Sequence, residues 1–216
     1  QDPALSADAA ANPAVRCTLR NRARYEVANN SYARGIVLTL ANDVIGTGPR
    51  LQMLTGSTEL TANDSAKTNQ TIEREFTAWA KAIDLPAKLR TMRMARAQDG
   101  EAFAMLFSND RLDSPIKLDL KLIEAEQVTS IELKSAWTAS VYGIEFDDFG
   151  NPSQYHILKQ HPGAALRTSG QAVEHIPAAS MIHWFRADRP GQSRGLPDIL
   201  PALPLFAQLR RYTLAV

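Results

Sequence analysis

The hydrophobic pattern of the sequence changes its period at Asp99-Gly100, and this change restricts the folds that the chain can adopt. Before it, apolar residues recur every three or four positions, which is typical of one face of an α-helix. After it, apolar and polar residues alternate, which is typical of β-strands, and a helical pattern returns only near the end of the chain. Helices, then strands, then a helix predict an α+β fold rather than an alternating β-α-β series.

The helical part is predicted to form a lobe over residues 14–100, after a flexible leader at residues 1–13 that is rich in Ala, Pro, Asp and Asn. Its first helical pattern begins at Val15 and ends at Gly46-Thr-Gly-Pro49, because two glycines and a proline are a strong stop signal. Within this pattern, Gly35 is a position at which a break or a close helix contact is allowed.

An exposed loop is predicted at about residues 55–70, because these residues are small and polar and show no periodicity. Thr71 is the expected N-cap of the helix that follows, since its side chain can accept a hydrogen bond from a free N–H group of the first turn. Asp84-Leu-Pro86 ends that helix and begins another, which continues to about Gln98, because proline is tolerated in a first turn.

Residues 101–195 are predicted to form a β-rich lobe on which the N-terminal helices pack. Two of its strands flank the turn-forming stretch Asp147-Asp-Phe-Gly-Asn-Pro152, which predicts a β-hairpin and a mostly antiparallel sheet. The predicted strands are Glu101–Phe107, Ile116–Ile123, Val141–Phe146, Gln154–Leu158 and Met181–Phe185.

Residues 196–216 are predicted to form a C-terminal helix that starts among three prolines. Its apolar pattern continues to Val216 without a cap, glycine or proline to stop it. The first residue is Gln1 rather than Met, and no signal-peptide pattern follows it. We therefore expect the sequence to be a piece of a longer chain, truncated within this helix.

Composition and charge exclude several classes of protein. With 44% hydrophobic and 22% charged residues over 216 positions, the chain suits a globular protein of one domain or of two small lobes. Lys and Arg number 24 against 23 Asp and Glu, so the net charge of +1 gives no global field that would attract a polyanion. Cys17 is the one cysteine, which excludes a disulfide within the chain. The sequence contains no run of about 18 apolar residues, so no membrane-spanning helix is predicted.

The sequence carries no pattern typical of a catalytic, metal or cofactor site, so we predict none. It has no phosphate-binding loop of the G-x-x-x-x-G-K-[ST] type and no G-x-S-x-G turn for a nucleophile. The histidines form no HExxH motif, and one cysteine offers no zinc knuckle, so structural roles are favoured for them. The four histidines are His156, His161, His175 and His183.

Two carboxylate pairs, Asp99 with Glu101 and Asp147 with Asp148, leave a metal-dependent DNA-processing enzyme open as an alternative. A structural interpretation is favoured for each pair. Gly100 is suited to end a helix with a positive φ angle, so that Glu101 begins the next strand. In the second pair, Asp, Gly and Asn tolerate the backbone angles that a hairpin turn requires.

Two sets of arginines recur at helical spacing and are possible phosphate-facing edges of a monomeric nucleic-acid-binding module. A solvated helix face, paired with nearby carboxylates, is the favoured interpretation for a single copy of the chain. The two sets are Arg16, Arg20 and Arg24, and Arg90, Arg93 and Arg96.

The segment after the last predicted strand combines shape with many hydrogen-bond donors. Gly191 and Gly195 supply backbone freedom while two prolines fix φ, so the segment is expected to have a defined conformation rather than to be flexible. Arg189, Gln192 and Arg194 supply donors for carbonyl oxygens or carboxylates of a neighbouring segment. No nucleophile or base lies beside them in sequence, so we predict a structural docking loop.

A series of short motifs runs in order along nearly the whole chain, and together they resemble those of the portal proteins of lambda-type tailed bacteriophages. Arg189-Pro-Gly-Gln-Ser-Arg-Gly195 is the most specific of them. The others are Arg22-x-Arg24, Asn30-x-Tyr-Ala33-x-Gly35, Val44-Ile-Gly46-x-Gly48, Phe76-x-x-Trp79, Asp99-Gly-Glu101, Leu122-Ile-Glu-Ala125, Gly143-Ile-Glu-Phe-Asp147, Gly150-Asn-Pro152, Tyr155-x-Ile157, His161-Pro162, Ile176-Pro-Ala178 and Ile182-His183.

The resemblance implies a structural protein rather than an enzyme. Portal proteins assemble, typically as twelve subunits, into a ring at one vertex of the capsid, and double-stranded DNA enters through the ring, driven by terminase, and leaves through it at infection. The implied partners are other copies of the chain, terminase, capsid and scaffold proteins, and head–tail connector proteins, with no membrane. The implied location is the virion of a phage or prophage, and the host cytoplasm during assembly.

The resemblance also assigns the sequence to the N-terminal, wing-like part of such a protein, because family members are roughly twice as long. The docking loop is then expected to make subunit or interlobe contacts. The residues expected to make them are Arg189, Gly191, Gln192, Arg194 and Gly195.

Overall fold

The computed structural model of the chain describes residues 4–54, 62–129, 140–164 and 172–215, and the predicted α+β class is confirmed. Its helices are α1 (Ala7–Ala10), α2 (Pro13–Asn29), α3 (Ser31–Ile45), α4 (Ala62–Ala82), α5 (Leu85–Asp99) and α6 (Leu203–Ala215). Its strands are β1 (Glu101–Ser108), β2 (Leu118–Ile123), β3 (Ser140–Val141), β4 (Ile144–Phe146), β5 (Pro152–Leu158), β6 (Val173–Pro177) and β7 (Met181–Phe185). Across these ranges, no helix combines the length and the apolar character needed to cross a membrane.

The strands form two small sheets in which every pair is antiparallel. The first sheet has the order β2-β1-β7, and the second has the order β3-β4-β5-β6. The predicted strand Met181–Phe185 and the predicted hairpin at Asp147 are confirmed, the hairpin joining β4 to β5. Strand β6 was not predicted, because its sequence, Val173-Glu-His-Ile-Pro177, has only two apolar aliphatic residues and ends in proline.

The central strand β1 carries a core on each of its faces. Phe103 points toward the second sheet and packs in a cluster with Ile144 and Tyr155. Ala102 and Ala104 point the other way, toward α4 and α5, where small side chains let the helices approach the sheet closely. The first sheet is therefore a middle layer between the helices and the second sheet.

A third core cluster holds the helices to one another. Ala23, Ala33 and Ala97 on α2, α3 and α5 are fully buried, and their small size allows the three helices to pack closely. Phe206 of α6 inserts into the same cluster, which joins the C-terminal helix to the N-terminal ones. Phe206 therefore fixes the position of α6, whereas Leu205 and Tyr212 on the same helix are exposed.

The predicted flexible leader is wrong over the part of it that the structure describes. Ser6 caps α1 by accepting a hydrogen bond from the backbone N–H of Ala9 (3.3 Å), and Ala7 and Ala10 are buried. The alanine-rich composition that suggested a loose leader instead gives small side chains that pack against the rest of the chain.

The predicted loop at residues 55–70 and the predicted N-cap at Thr71 are wrong where the structure describes them, because α4 already begins at Ala62. Residues 55–61 lie outside the described ranges. The apolar face of α4 packs through Phe76 and Trp79 near its C-terminal end. Once that end is fixed, adding helical turns toward the N-terminus costs little, so a polar stretch without periodicity can still be helical.

The first helical pattern is two helices, separated at Asn30 rather than at Gly35. The backbone N–H of Asn30 donates to the carbonyl of Glu26 (2.8 Å) and ends α2. Its side-chain oxygen accepts from the N–H groups of Tyr32 (3.0 Å) and Ala33 (3.4 Å) and so caps α3. One asparagine therefore ends a helix and starts the next, as its short polar side chain allows.

Candidate functional site

The predicted docking loop packs against the point where α5 ends and β1 begins. Gly100 ends α5 with φ 93° and leaves Glu101 as the first residue of β1, as predicted. A Cβ atom on Gly195 would overlap the carbonyl oxygen of Gly100, and one on Gly100 would overlap the backbone of Leu196. The two backbones therefore touch because both positions are glycine.

Arg194 lies at the centre of this contact, with a side chain that is 1% exposed. It forms a bidentate pair with Glu101, from Nε to Oε2 (2.8 Å) and from Nη2 to Oε1 (2.6 Å). Its remaining N–H groups donate to the carbonyl oxygens of Ala125 (3.2 Å), Val128 (3.1 Å) and Tyr142 (2.5 Å). All five donors of the guanidinium are thus satisfied, and they connect β1, the segment after β2, and the turn before β4.

Glu101 is the acceptor on which this network converges. Burial opposes its ionisation, but the charge of Arg194 and hydrogen bonds from Arg194 and His183 outweigh burial and hold the pKa of Glu101 below its ordinary value. The backbone N–H of Gly195 donates to Oε2 (3.1 Å), and Arg20 approaches Oε1 (3.4 Å). Glu101 is therefore a buried anion at neutral pH.

His183 on β7 completes the surroundings of Glu101. Burial lowers the pKa of His183, despite the opposing effect of Glu101, so its imidazole is neutral at pH 7. Nε2 lies 3.2 Å from Glu101 Oε2 and therefore donates its proton there. Nδ1 lies 3.5 Å from the hydroxyl oxygen of Tyr155 and can accept a hydrogen bond from that hydroxyl. The ring stacks between Phe103 (centroids 4.2 Å apart) and Phe185 (4.4 Å).

The first predicted arginine edge is buried at Arg16 and Arg20 and partly exposed at Arg24, because α2 turns it toward the same network. Arg20, with a side chain 5% exposed, pairs with Glu126 (3.1 Å) and with Glu101. Arg24 forms a bidentate pair with Asp99 (2.6 and 2.9 Å) and also pairs with Glu126 (2.9 Å). A row of arginines four apart on a helix therefore marks here an ion-paired interior and not a phosphate-binding surface.

Arg16 is buried one turn earlier on the same helix. It donates to the carbonyl of Ala11 (2.6 Å), and its guanidinium lies 4.7 Å from the ring centre of Tyr142. Burial and the positive charge of Arg194 lower the pKa of Arg16 to about 10, so it is still charged at neutral pH. Like Arg20, it is not available to phosphate in this structure.

The second arginine edge, on α5, is divided between the interior and the surface. Arg93 is 8% exposed and pairs with Asp198 (3.2 Å), and Arg96 lies 4.0 Å from the same carboxylate. Arg90 is exposed and donates to the side chain of Asn42 (2.6 Å). Arg93 is therefore too buried to face phosphate as predicted. Arg90 lies at the surface, where contact with a phosphate is still possible.

The rest of the docking loop is held mainly by its own side chains. Gln192 accepts from the backbone N–H groups of Asp188 (2.9 Å) and Arg189 (3.3 Å) and donates to the carbonyl of Arg194 (2.8 Å). Arg189 is exposed and reaches the carbonyl of Leu5 (3.0 Å). Gln192 therefore fixes the loop's shape, and Arg194 fixes its position.

The carboxylates of the alternative enzyme hypothesis are used in structural hydrogen bonds. Asp147 accepts from the backbone N–H groups of Phe149 (3.0 Å) and Asn151 (2.7 Å), which closes the hairpin turn. Asp99 and Glu101 are each held by arginine, as above. Neither pair presents two free carboxylates to a metal ion or a substrate, so the geometry favours structural roles for both.

A model of the family "Phage portal protein, lambda family" matches residues 1–216. The chain belongs to this family. The "Probable portal protein" of Halomonas phage phiHAP-1 is 27% identical over 192 residues, which cover 82% of this chain and 36% of that protein. The resemblance inferred from the sequence motifs is thus confirmed, and the chain spans about a third of the length of the curated relative that it matches.

In this portal-family chain, sequence reasoning identified the docking loop but missed its main acceptor. Glu101 was considered as half of a carboxylate pair, whereas the structure makes it the partner of Arg194. A signal was available: a carboxylate that opens the apolar run Glu101-Ala-Phe-Ala-Met105 is buried by its own strand and must find a cation. The distant partner, separated by the whole β-rich part, could not be identified from spacing.

Proposed function

We propose that the chain is part of a structural subunit of the ring at a phage or prophage capsid vertex, through which double-stranded DNA is packaged and ejected. The match of the lambda portal family over all 216 residues carries this proposal. The charged groups of the described residues fit this role, because the buried arginines and carboxylates are engaged with one another.

The proposed role of the Arg194–Glu101 network is to keep the subunit rigid. A ring is built from heterologous contacts, in which two different patches of one subunit meet on neighbouring copies. If about twelve copies close the ring, each contact turns the next subunit by about 30°, so the angle between the two patches must be held closely. A network that ties β1, both sheets and the docking loop together would hold that angle.

This role modifies the sequence hypothesis about the docking loop. All five donors of Arg194 act within its own chain, so its proposed influence on assembly is through the subunit's shape rather than through a direct subunit contact. Arg189 is exposed and remains the member of the loop proposed to reach a neighbouring subunit. Gln192 and the two glycines act by shaping the loop that presents it.

The proposed partners and location are those of a portal. They are other copies of the chain, terminase, capsid and scaffold proteins, head–tail connector proteins and passing double-stranded DNA, in the virion and, during assembly, in the host cytoplasm. The net charge of +1 suits a channel component, because strong pairing with many phosphates would slow the DNA that must move through it.

Electron microscopy of the protein encoded by the complete gene tests the proposal. We expect closed rings with a central hole in the wild-type protein. Arg194→Ala is expected to reduce the fraction of closed rings together with thermal stability, whereas Arg189→Ala should change ring formation with little change in stability. A monomeric protein that cleaves DNA with Mg²⁺ or Mn²⁺ would instead support the enzyme hypothesis.

A further inference from the structure

A group of metal-ligating side chains lies on the second sheet, on the face opposite the shared core. His156 on β5 and His175 on β6 are directly paired across neighbouring strands. Glu145 on β4 is diagonal to His156, since Glu145 itself pairs with Gln154. Tyr155, next to His156 in sequence, points into the core cluster, so the alternation along β5 directs His156 to the other face.

The distances within this group are close to those of a metal site. One ligand atom from each of Glu145, His156 and His175 lies within 4.8 Å of the other two. Zn²⁺ binds imidazole nitrogen and carboxylate oxygen at about 2.0–2.2 Å, so tetrahedral ligands lie about 3.3–3.6 Å from one another. His175 is exposed and can rotate to close the gap, and the contact of 2.7 Å between Glu145 and His156 need only lengthen by under about 1 Å.

We propose that Glu145, His156 and His175 bind a divalent transition-metal ion, of which Zn²⁺ fits best. Two imidazoles and one carboxylate match the ligands that Zn²⁺ takes in three-ligand sites, where water occupies the fourth position. Mg²⁺ and Ca²⁺ prefer oxygen ligands alone, so two imidazoles select against them. This site is separate from the carboxylate pairs of the enzyme hypothesis, and the inference does not depend on the proposed portal function.

A second group in the described ranges, Glu124, Glu126 and His161, is a weaker candidate. Its carboxylates are already paired with arginine: Glu126 with Arg20 (3.1 Å) and Arg24 (2.9 Å), and Glu124 with Arg24. A metal ion there would have to displace guanidinium groups and would be repelled by them. In the first group, Glu145 pairs with His156, which is itself one of the proposed ligands.

Metal binding at the first group would join three neighbouring strands. The ligands come from β4, β5 and β6, so one ion would cross-link the hairpin at Asp147 to the strand that follows it. Because the ligands are brought together by the folded sheet, binding should favour the folded state and raise the unfolding temperature of the chain.

Titration of the purified chain with Zn²⁺, and with Co²⁺ as a visible-absorption probe, tests the inference. We expect one Zn²⁺ per chain and tetrahedral Co²⁺ bands that Zn²⁺ removes, with no competition from a large excess of Mg²⁺. His175→Ala, at an exposed position, should weaken Zn²⁺ binding by at least about tenfold. His161→Ala is the matched control, and it should leave the affinity within about twofold.

Three results would overturn the inference. The first is that the wild-type chain shows no saturable one-to-one binding of Zn²⁺ or Co²⁺. The second is that His175→Ala, with an unchanged circular dichroism spectrum, binds as tightly as the wild type. The third is that His161→Ala abolishes binding while His175→Ala retains it, which would place the metal at the second group.

Discussion

Replacing Arg194 by alanine removes the cation at the centre of the buried network, and its cost can be worked out from the contacts. The substitution deletes the bidentate pair with Glu101 and leaves the carbonyl oxygens of Ala125, Val128 and Tyr142 without this donor. Removing one partner of a buried ion pair costs about 3–5 kcal/mol, chiefly because the other charge is left buried. We therefore expect the free energy of unfolding to fall by about 3–5 kcal/mol.

Urea denaturation followed by circular dichroism measures this loss. In a chain of this size, the same loss lowers the unfolding temperature by about 6–20 °C. Arg189→Ala is the matched control, because it removes an exposed arginine of the same loop whose side chain donates to the carbonyl of Leu5, and it should cost under about 1.5 kcal/mol. If the two variants lose equal stability, or Arg194→Ala loses under about 1 kcal/mol, the network does not hold the fold together as argued.

Three further predictions concern His183, Gly195 and Gly35. Burial lowers the pKa of His183, so its imidazole should remain neutral in an NMR titration when the pH falls below about 6.5. The same histidine in the unfolded chain takes up a proton there, so the free energy of unfolding should decrease as the pH falls through that range. Protonation of the folded-state imidazole at or above pH 6.5 would contradict the assignment. Gly195→Ala should cost at least about 1–3 kcal/mol in chemical denaturation, because the added Cβ overlaps the backbone of Gly100, and a neutral result would show that the two segments are not in contact. Gly35→Ala, inside α3 with open space around the added methyl group, should instead stabilise the chain by about 0.5–1 kcal/mol, and a loss of stability would mean that a close contact is present there.

The fold class and most strands could be predicted because they depend on local periodicity. The alternation in Glu101–Phe107 and in Met181–Phe185 marked β1 and β7, and the turn residues after Phe146 marked the hairpin. The start of α4 could not be predicted, because its polar N-terminal turns are helical by extension from a packed C-terminal end. Periodicity marks a segment as helical where apolar residues recur, and it does not mark turns that bury little.

The candidate site could be predicted only in part, for a related reason. The docking loop was recognisable from its own composition, since glycine, proline and arginine within one segment indicate a shaped, donor-rich loop. Its acceptor could not be assigned, because Arg194 and Glu101 are brought together only by the pairing of β1 with β7. The burial of the α2 arginines could not be predicted, because a row at helical spacing looks the same whether it faces solvent, phosphate or buried carboxylates.

The most direct test of the account is a cryo-electron microscopy map of the protein encoded by the complete gene, at a resolution that shows side chains. The account predicts a closed ring in which Arg194 of every subunit contacts Glu101 of the same subunit, away from the subunit interfaces. A protein that forms no ring, or a ring in which Arg194 reaches across to a neighbouring subunit, would contradict it.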